Sequence, residues 1–136
     1  MVQKRQKQDR LLTEVELELM NVIWKLGQAT VREVSARHRS KNRALAYTTV
    51  ATVLKILEQK GFVSCKKDSH AHVFSPVISK SSYEHTCLER VVTNVFDGKP
   101  VSLIQRLLNG TNLRATDRQA IEAALKNLPT KGSPKR

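Results

Sequence analysis

Thr48, Thr49, Thr52, Lys55 and Gln59 are the residues whose types and spacing most suggest chemistry. On a helix, Thr48, Thr52, Lys55 and Gln59 recur at i, i+4, i+7 and i+11 and so form one stripe, with Thr49 beside it. Small hydroxyl side chains let a helix approach base edges and phosphates closely, and a lysine one turn further on reaches guanine O6/N7 or a phosphate. The plain alternative is a solvated helix face. Cations flank the stripe on both sides: Arg37, Arg39, Lys41 and Arg43 before it, Lys66 and Lys67 after it. As a charged loop and a charged hairpin they need no function, but their place beside the stripe suits phosphate contact, with Arg43 nearest to it.

Other chemistries fare poorly. The chain has no Gly-rich phosphate loop, no nucleophile elbow and no carboxylate pair in a pocket-forming context, so no catalytic residues are expected. His70 and His72 form an H-x-H that, on a strand, would share a face, but without a third or fourth ligand no metal site and no cofactor are expected. Cys65 and Cys87 permit at most one disulfide and are both read as reduced, Cys87 as a small apolar packing residue.

The charge points the same way as the stripe. Among 136 residues, 24 are Lys or Arg and 12 are Asp or Glu, a net charge of +12, which favours polyanions through counterion release and long-range attraction. Residues up to Lys67 hold 14 of the basic and 6 of the acidic residues, a net +8, against +4 for the remainder. The first half is therefore the half expected to face the polyanion. No apolar run approaches the ~20 residues of a bilayer span and Met1–Arg10 is polar, so no membrane association and a cytoplasmic location are expected.

The elements that would position these residues follow from caps and periodicity. Thr13 with Glu16 makes a capping box, Leu12 with Leu17 a hydrophobic staple, and Val15, Leu19, Val22, Ile23 and Leu26 a stripe ending at Gly27. Thr30 with Glu33 opens a short second helix to about His38, followed by a solvated basic connection, Arg37 to Leu45. The third helix spans about Tyr47 to Lys60, with Val50, Val53, Leu54 and Leu57 facing inward and Gly61 ending it. Five β-branched residues between Thr48 and Val53 cost ~0.3–0.6 kcal/mol each relative to Ala, so tertiary packing must hold this helix. From Phe62 to Ile78 the period shifts towards two, predicting a hairpin with a polar KKDSHA turn and Pro76 closing the second strand at an edge. Three short helices follow. The first is capped by Ser81 and Glu84, the second starts at Lys99-Pro100, and the third is capped by Thr116 and Gln119.

This order predicts a mainly α fold with a small β-hairpin wing: a winged helix-turn-helix domain over residues 11–78, then a helical region over 79–128. Residues 1–10 and 129–136 read as a disordered basic arm and tail. Leu88, Val91, Val92, Val95 and Phe96, then Leu103 and Leu107, then Ile121 and Leu125, form apolar stripes that three short helices bury poorly alone. They form either an intramolecular core or a core shared across a two-fold axis, and the second is the better reading.

The segments LTEVELELMNVIW (residues 12–24), TVREV (30–34), AYTTVATVLKILEQKGFV (46–63), CKKD (65–68) and FDGKPVSLIQRLL (96–108) together resemble the BlaI/MecI/CopY-type bacterial transcriptional repressors. The resemblance covers about Leu12 to Leu128 and implies a homodimer that binds a palindromic promoter operator as double-stranded DNA. It also implies that Thr48, Thr49, Thr52 and Lys55 face the major groove, that Lys66 and Lys67 lie near phosphate, and that the C-terminal helices interlock. Three departures stand out. Ile56 occupies a position where members often carry Arg. Arg106-Leu107 stands where antibiotic-response members carry a cleavable Asn-Phe bond, so an unidentified protease or sensor partner would need another bond. The Cys-x-Cys pairs of the copper-responsive members are missing, which argues against copper sensing. A non-sequence-specific nucleic-acid-binding protein is the alternative function, since a charge of +12 alone would suffice for it, and a module whose C-terminal helices bind a different protein is a further rival.

Overall fold

The computed structural model describes residues 11–41, 44–110 and 112–129. The basic arm over residues 1–10, Arg43, residues 130–136 of the tail and the side chains of Arg39 and Lys41 lie outside what is described. In chain order the elements are α1 (Glu14–Leu26), β1 (Ala29–Thr30), α2 (Val31–Lys41), α3 (Tyr47–Gln59), β2 (Val63–Asp68), β3 (Ala71–Pro76), α4 (Lys80–Asn94), α5 (Pro100–Gly110) and α6 (Ala115–Lys126). Two compact units result, one ending at Arg90 and the other beginning at Val91, with α4 starting in the first and ending in the second.

α1 begins at the expected capping box: Thr13 Oγ1 accepts from the Glu16 N–H at 3.3 Å, and Glu16 Oε1 accepts from the Thr13 N–H at 2.9 Å. Leu19, Met20, Val22 and Ile23 of α1 enter the core, where Val34 of α2, Val50, Leu54 and Leu57 of α3, Phe62, Val63, Phe74 and Tyr83 join them. Each fully buried Leu or Ile contributes about 1.5–3 kcal/mol relative to exposure, enough to hold the β-branched α3 helical.

The second capping box is also present, between Thr30 and Glu33, but its surroundings differ from expectation. Ala29 and Thr30 form a third strand, paired antiparallel with Phe74 and Val73, so the sheet order is β1-β3-β2. The strand nearest Pro76 is therefore central rather than an edge. Proline is tolerated because β1 reaches only as far as Phe74, leaving Pro76 opposite Val63 of β2 alone.

α2 continues to Lys41, so the start of the expected basic connection is helical. His38 is buried, with Nε2 2.9 Å from Glu18 Oε1 of α1. Helical spacing carries His38 inward at i+4 from Val34, although it stands in the basic run expected in solvent; the Glu18 pair offsets the burial on the Nε2 side, while Nδ1 is buried without a hydrogen-bond partner.

α3 ends in a Schellman motif. Gly61 adopts φ +87°, its N–H donates to the Glu58 carbonyl at 3.0 Å, and the Phe62 N–H donates to the Leu57 carbonyl at 3.0 Å. Phe62 and Leu57 are both fully buried, and the Val77 N–H donates to the Phe62 carbonyl at 2.9 Å. The hairpin is thus tied to the end of α3 by backbone and core together. Its strands run closer to the tip than expected, leaving a two-residue turn at Ser69 and His70, with Ser69 at φ +58°.

α4 is capped by Ser79 rather than Ser81: Ser79 Oγ accepts from the Ser82 N–H at 3.0 Å. The Trp24 indole donates to the Ile78 carbonyl at 2.9 Å, and the Tyr83 hydroxyl accepts from the Leu12 N–H at 2.8 Å, which seats the start of α4 beside α1. Burial pushes the Tyr83 hydroxyl pKa up, so it stays protonated.

In the second unit the turn after α4 uses left-handed backbone at Asp97 (φ +55°) and Gly98 (φ +76°), and α5 follows with Pro100 in its first turn. α6 starts at Ala115, where the Asp117 carboxylate accepts from the Arg114 N–H at 3.1 Å; Thr116 and Gln119 lie inside the helix. Among the described residues this unit buries none fully. Val95 is 67% exposed, Ile104 49%, Leu107 53% and Leu125 61%.

Candidate nucleic-acid interface

α3 turns Val50, Leu54 and Leu57 into the core, and the opposite face follows from the helical repeat. Thr48, Thr49, Thr52, Lys55 and Gln59 are all exposed along it. A hydroxyl-rich stripe ending in a cation therefore protrudes from a helix whose far side is rigidly packed, which is the arrangement that presents side chains to base edges without loss of position.

The hairpin stands beside this helix. Lys66 and Lys67 are both exposed on β2, opposite Val73 and His72 of β3. Because successive strand residues point to opposite faces, the two lysines do not act as a pair. Lys67 shares its face with Cys65, which packs against the core, and with His72, whose Nδ1 lies 3.4 Å from Cys65 Sγ. Val63, on the same face, is buried in one core cluster with Leu54 and Leu57, so this face of β2 is turned towards α3; burial and the Glu58 carboxylate push the Cys65 thiol pKa up against the pull of Lys55. Lys66 lies on the other face.

Of the basic run before α3, Arg37 is exposed on α2. Two neighbours escaped the sequence reading. A cleft of about 260 Å³ opens between the start of α2, the start of α3 and the hairpin tip, lined by Arg32, Tyr47, His70 and His72 among others. Tyr47 is half exposed and immediately precedes the hydroxyl stripe, which was the available signal. His70 sits in the turn and His72 on β3, so the H-x-H does not lie along one strand. Among the described residues no three His, Cys, Asp or Glu side chains gather closely enough to hold a metal ion. Both cysteines are free thiols, and Cys87 packs, partly buried, against the core.

Three helices, a short strand and a hairpin, with an exposed hydroxyl-and-lysine face on the third helix, define a winged helix-turn-helix protein. The profile of the penicillinase repressor family matches residues 12–127, and the chain belongs to that family of transcriptional repressors. The penicillinase repressor of Bacillus licheniformis is 28% identical over 102 residues, 75% of this chain and 79% of that protein. The transcriptional regulator BlaI of Mycobacterium tuberculosis is 40% identical over 67 residues, 48% of each chain. The crystal structure of the YusO protein from Bacillus subtilis, 17% identical, shares the fold over 90% of this chain and 77% of its own, with a TM-score of 0.52. No helix among the described residues is long and apolar enough to cross a membrane.

Proposed function

We propose that the chain is a sequence-specific DNA-binding repressor that acts as a homodimer on a palindromic promoter operator. The observation that carries this reading is the exposed Thr48, Thr49, Thr52 and Lys55 face of α3, backed by a fully packed core and flanked by the basic hairpin. In this reading α3 selects bases in the major groove. Lys67 contacts phosphate on the side facing α3, Lys66 contacts it from the other face of the hairpin, and Arg43 adds a phosphate contact before the helix. Arg32 and Tyr47, beside the hairpin tip, join them.

The domain from residue 11 to 78 then reads DNA, and residues 79–128 pair the subunits. The support is the lack of any fully buried side chain among the described residues of the second unit, despite its apolar stripes. Leu88, Val91, Val92, Val95, Phe96, Leu103, Leu107, Ile121 and Leu125 supply that dimer surface. Repression needs only occupancy of the promoter, so no catalytic group is called for.

Binding isotherms at several salt concentrations test the division of labour. Lys67→Ala weakens specific and random DNA alike and lowers the salt slope by ~1, because one phosphate contact is lost. Thr52→Ala instead erodes the preference for operator over random DNA, which a repressor of this kind holds at ~10³ or more. Identical effects from the two substitutions would overturn the assignment. Equal wild-type affinity for operator and scrambled DNA would favour a non-specific nucleic-acid-binding protein instead.

A further inference from the structure

On the first unit, a groove is formed by α1, α2 and α4, with no contribution from α3 or the hairpin. It consists of two adjoining cavities of about 630 and 510 Å³, both lined by Asn21, Trp24 and Lys80. These volumes fall in the ~300–1,000 Å³ range of small-molecule sites. The smaller cavity is walled by Leu17, Tyr83, Cys87 and Leu88, with the Trp24 and Tyr83 ring centroids 5.8 Å apart. The larger carries Lys25 and Arg37, and its carboxylate, Glu18, is already engaged by His38 at 2.9 Å. Glu84 lines the smaller cavity, so three cations face two carboxylates across the whole groove.

We propose that this groove binds a small amphipathic carboxylate, its apolar body lying over Trp24 and its carboxylate held by the Lys80 ammonium and the Asn21 amide where the cavities join. An aromatic wall with two convergent polar donors selects such a ligand over a fully polar or fully apolar one. The position also gives it a route to regulation. α4 is seated on α1 here and continues into the second unit, so a ligand wedged between α1 and α4 alters how α4 leaves the winged helix. α4 also carries Leu88, Val91 and Val92 of the proposed dimer surface, so a ligand held against it bears on operator binding. This consequence rests on the function proposed above, whereas the binding site does not.

Trp24 is the one tryptophan in the sequence, so its fluorescence reports on the groove directly. The full chain is titrated with 4-phenylbutyrate and with 4-phenylbutanol, which keeps the body and lacks the charge. The acid gives a saturable change in Trp24 emission and binds about tenfold tighter than the alcohol; Lys80→Met abolishes that preference and leaves the alcohol unchanged. Cys87→Phe fills the apolar half and abolishes binding of both, while its thermal unfolding stays cooperative. A non-saturable response, equal binding of acid and alcohol, or a preference that survives Lys80→Met overturns the site. Separately, saturating 4-phenylbutyrate shifts operator affinity by about fivefold or more, measured by anisotropy of labelled DNA. Unchanged operator affinity with a saturated Trp24 signal overturns the regulatory role, and a chain that binds no operator at all still leaves the fluorescence result to decide the site.

Discussion

The Lys60 ammonium lies 2.9 and 2.7 Å from the two carboxylate oxygens of the buried Glu16, joining the end of α3 to the start of α1. Burial raises the Glu16 pKa, but Lys60 and the Thr13 N–H outweigh it, so the carboxyl sits below its ordinary value of 4.5. A depressed folded pKa contributes stability that is fully present above the unfolded value and is lost as pH falls through the folded one. Thermal stability should therefore hold down to about pH 4.5 and fall below it, and Glu16→Gln should flatten that acid limb while costing about 2 kcal/mol near neutrality. Urea melts across pH check both. At the DNA face, Lys67→Ala should weaken operator binding more than Lys66→Ala, because only Lys67 shares the hairpin face turned towards α3; matched titrations decide it. The hydroxyl stripe itself was legible in the sequence, since three threonines and a lysine at helical spacing need no tertiary information. The opposite facing of Lys66 and Lys67 was not, because it depends on how far β2 extends towards the tip. His38 escaped for another reason: it follows the buried Val34 at i+4, but the cations on either side of it masked that spacing, and its partner Glu18 lies on another helix.

α3 and the hairpin act as one element because the Schellman turn fixes the angle between them. A Cβ at residue 61 would have to adopt φ +87°, a conformation that L side chains avoid at a cost of roughly 1–2 kcal/mol. Gly61→Ala should lower the midpoint of thermal unfolding by about 4–8 °C or more, monitored by circular dichroism. It should also weaken operator binding beyond that of a surface control, since the hairpin shifts relative to α3. At this scale most of the fold was readable. The capping boxes at Thr13 and Thr30, the glycine stops and the change of period at Phe62 mark true boundaries. The exceptions have physical causes. β1 is two residues long, too short for any alternation to show, and the caps at Ser79 and Asp117 were displaced because competing Ser and Thr residues stand within a turn of them.

At the scale of the whole molecule, the exposed Thr48, Thr49, Thr52 and Lys55 face of α3 and the exposed apolar stripes of α5 and α6 belong to different compact units. The first unit has a complete core, whereas the second exposes Leu107 at 53% and Val95 at 67%; in the homodimer proposed above, a matching surface on a second copy would cover these side chains. Leu107→Glu should convert a dimer into a monomer in sedimentation equilibrium while leaving the unfolding of the first unit intact. Operator affinity should then fall to that of a single half-site. Footprinting on the DNA upstream of the protein's own gene decides whether a paired winged-helix repressor sits there. Two protected half-sites related by two-fold symmetry are expected, with centres separated by one DNA turn of ~10 bp or a multiple of it. A single asymmetric protected patch, or diffuse protection that tracks salt and not sequence, would contradict it.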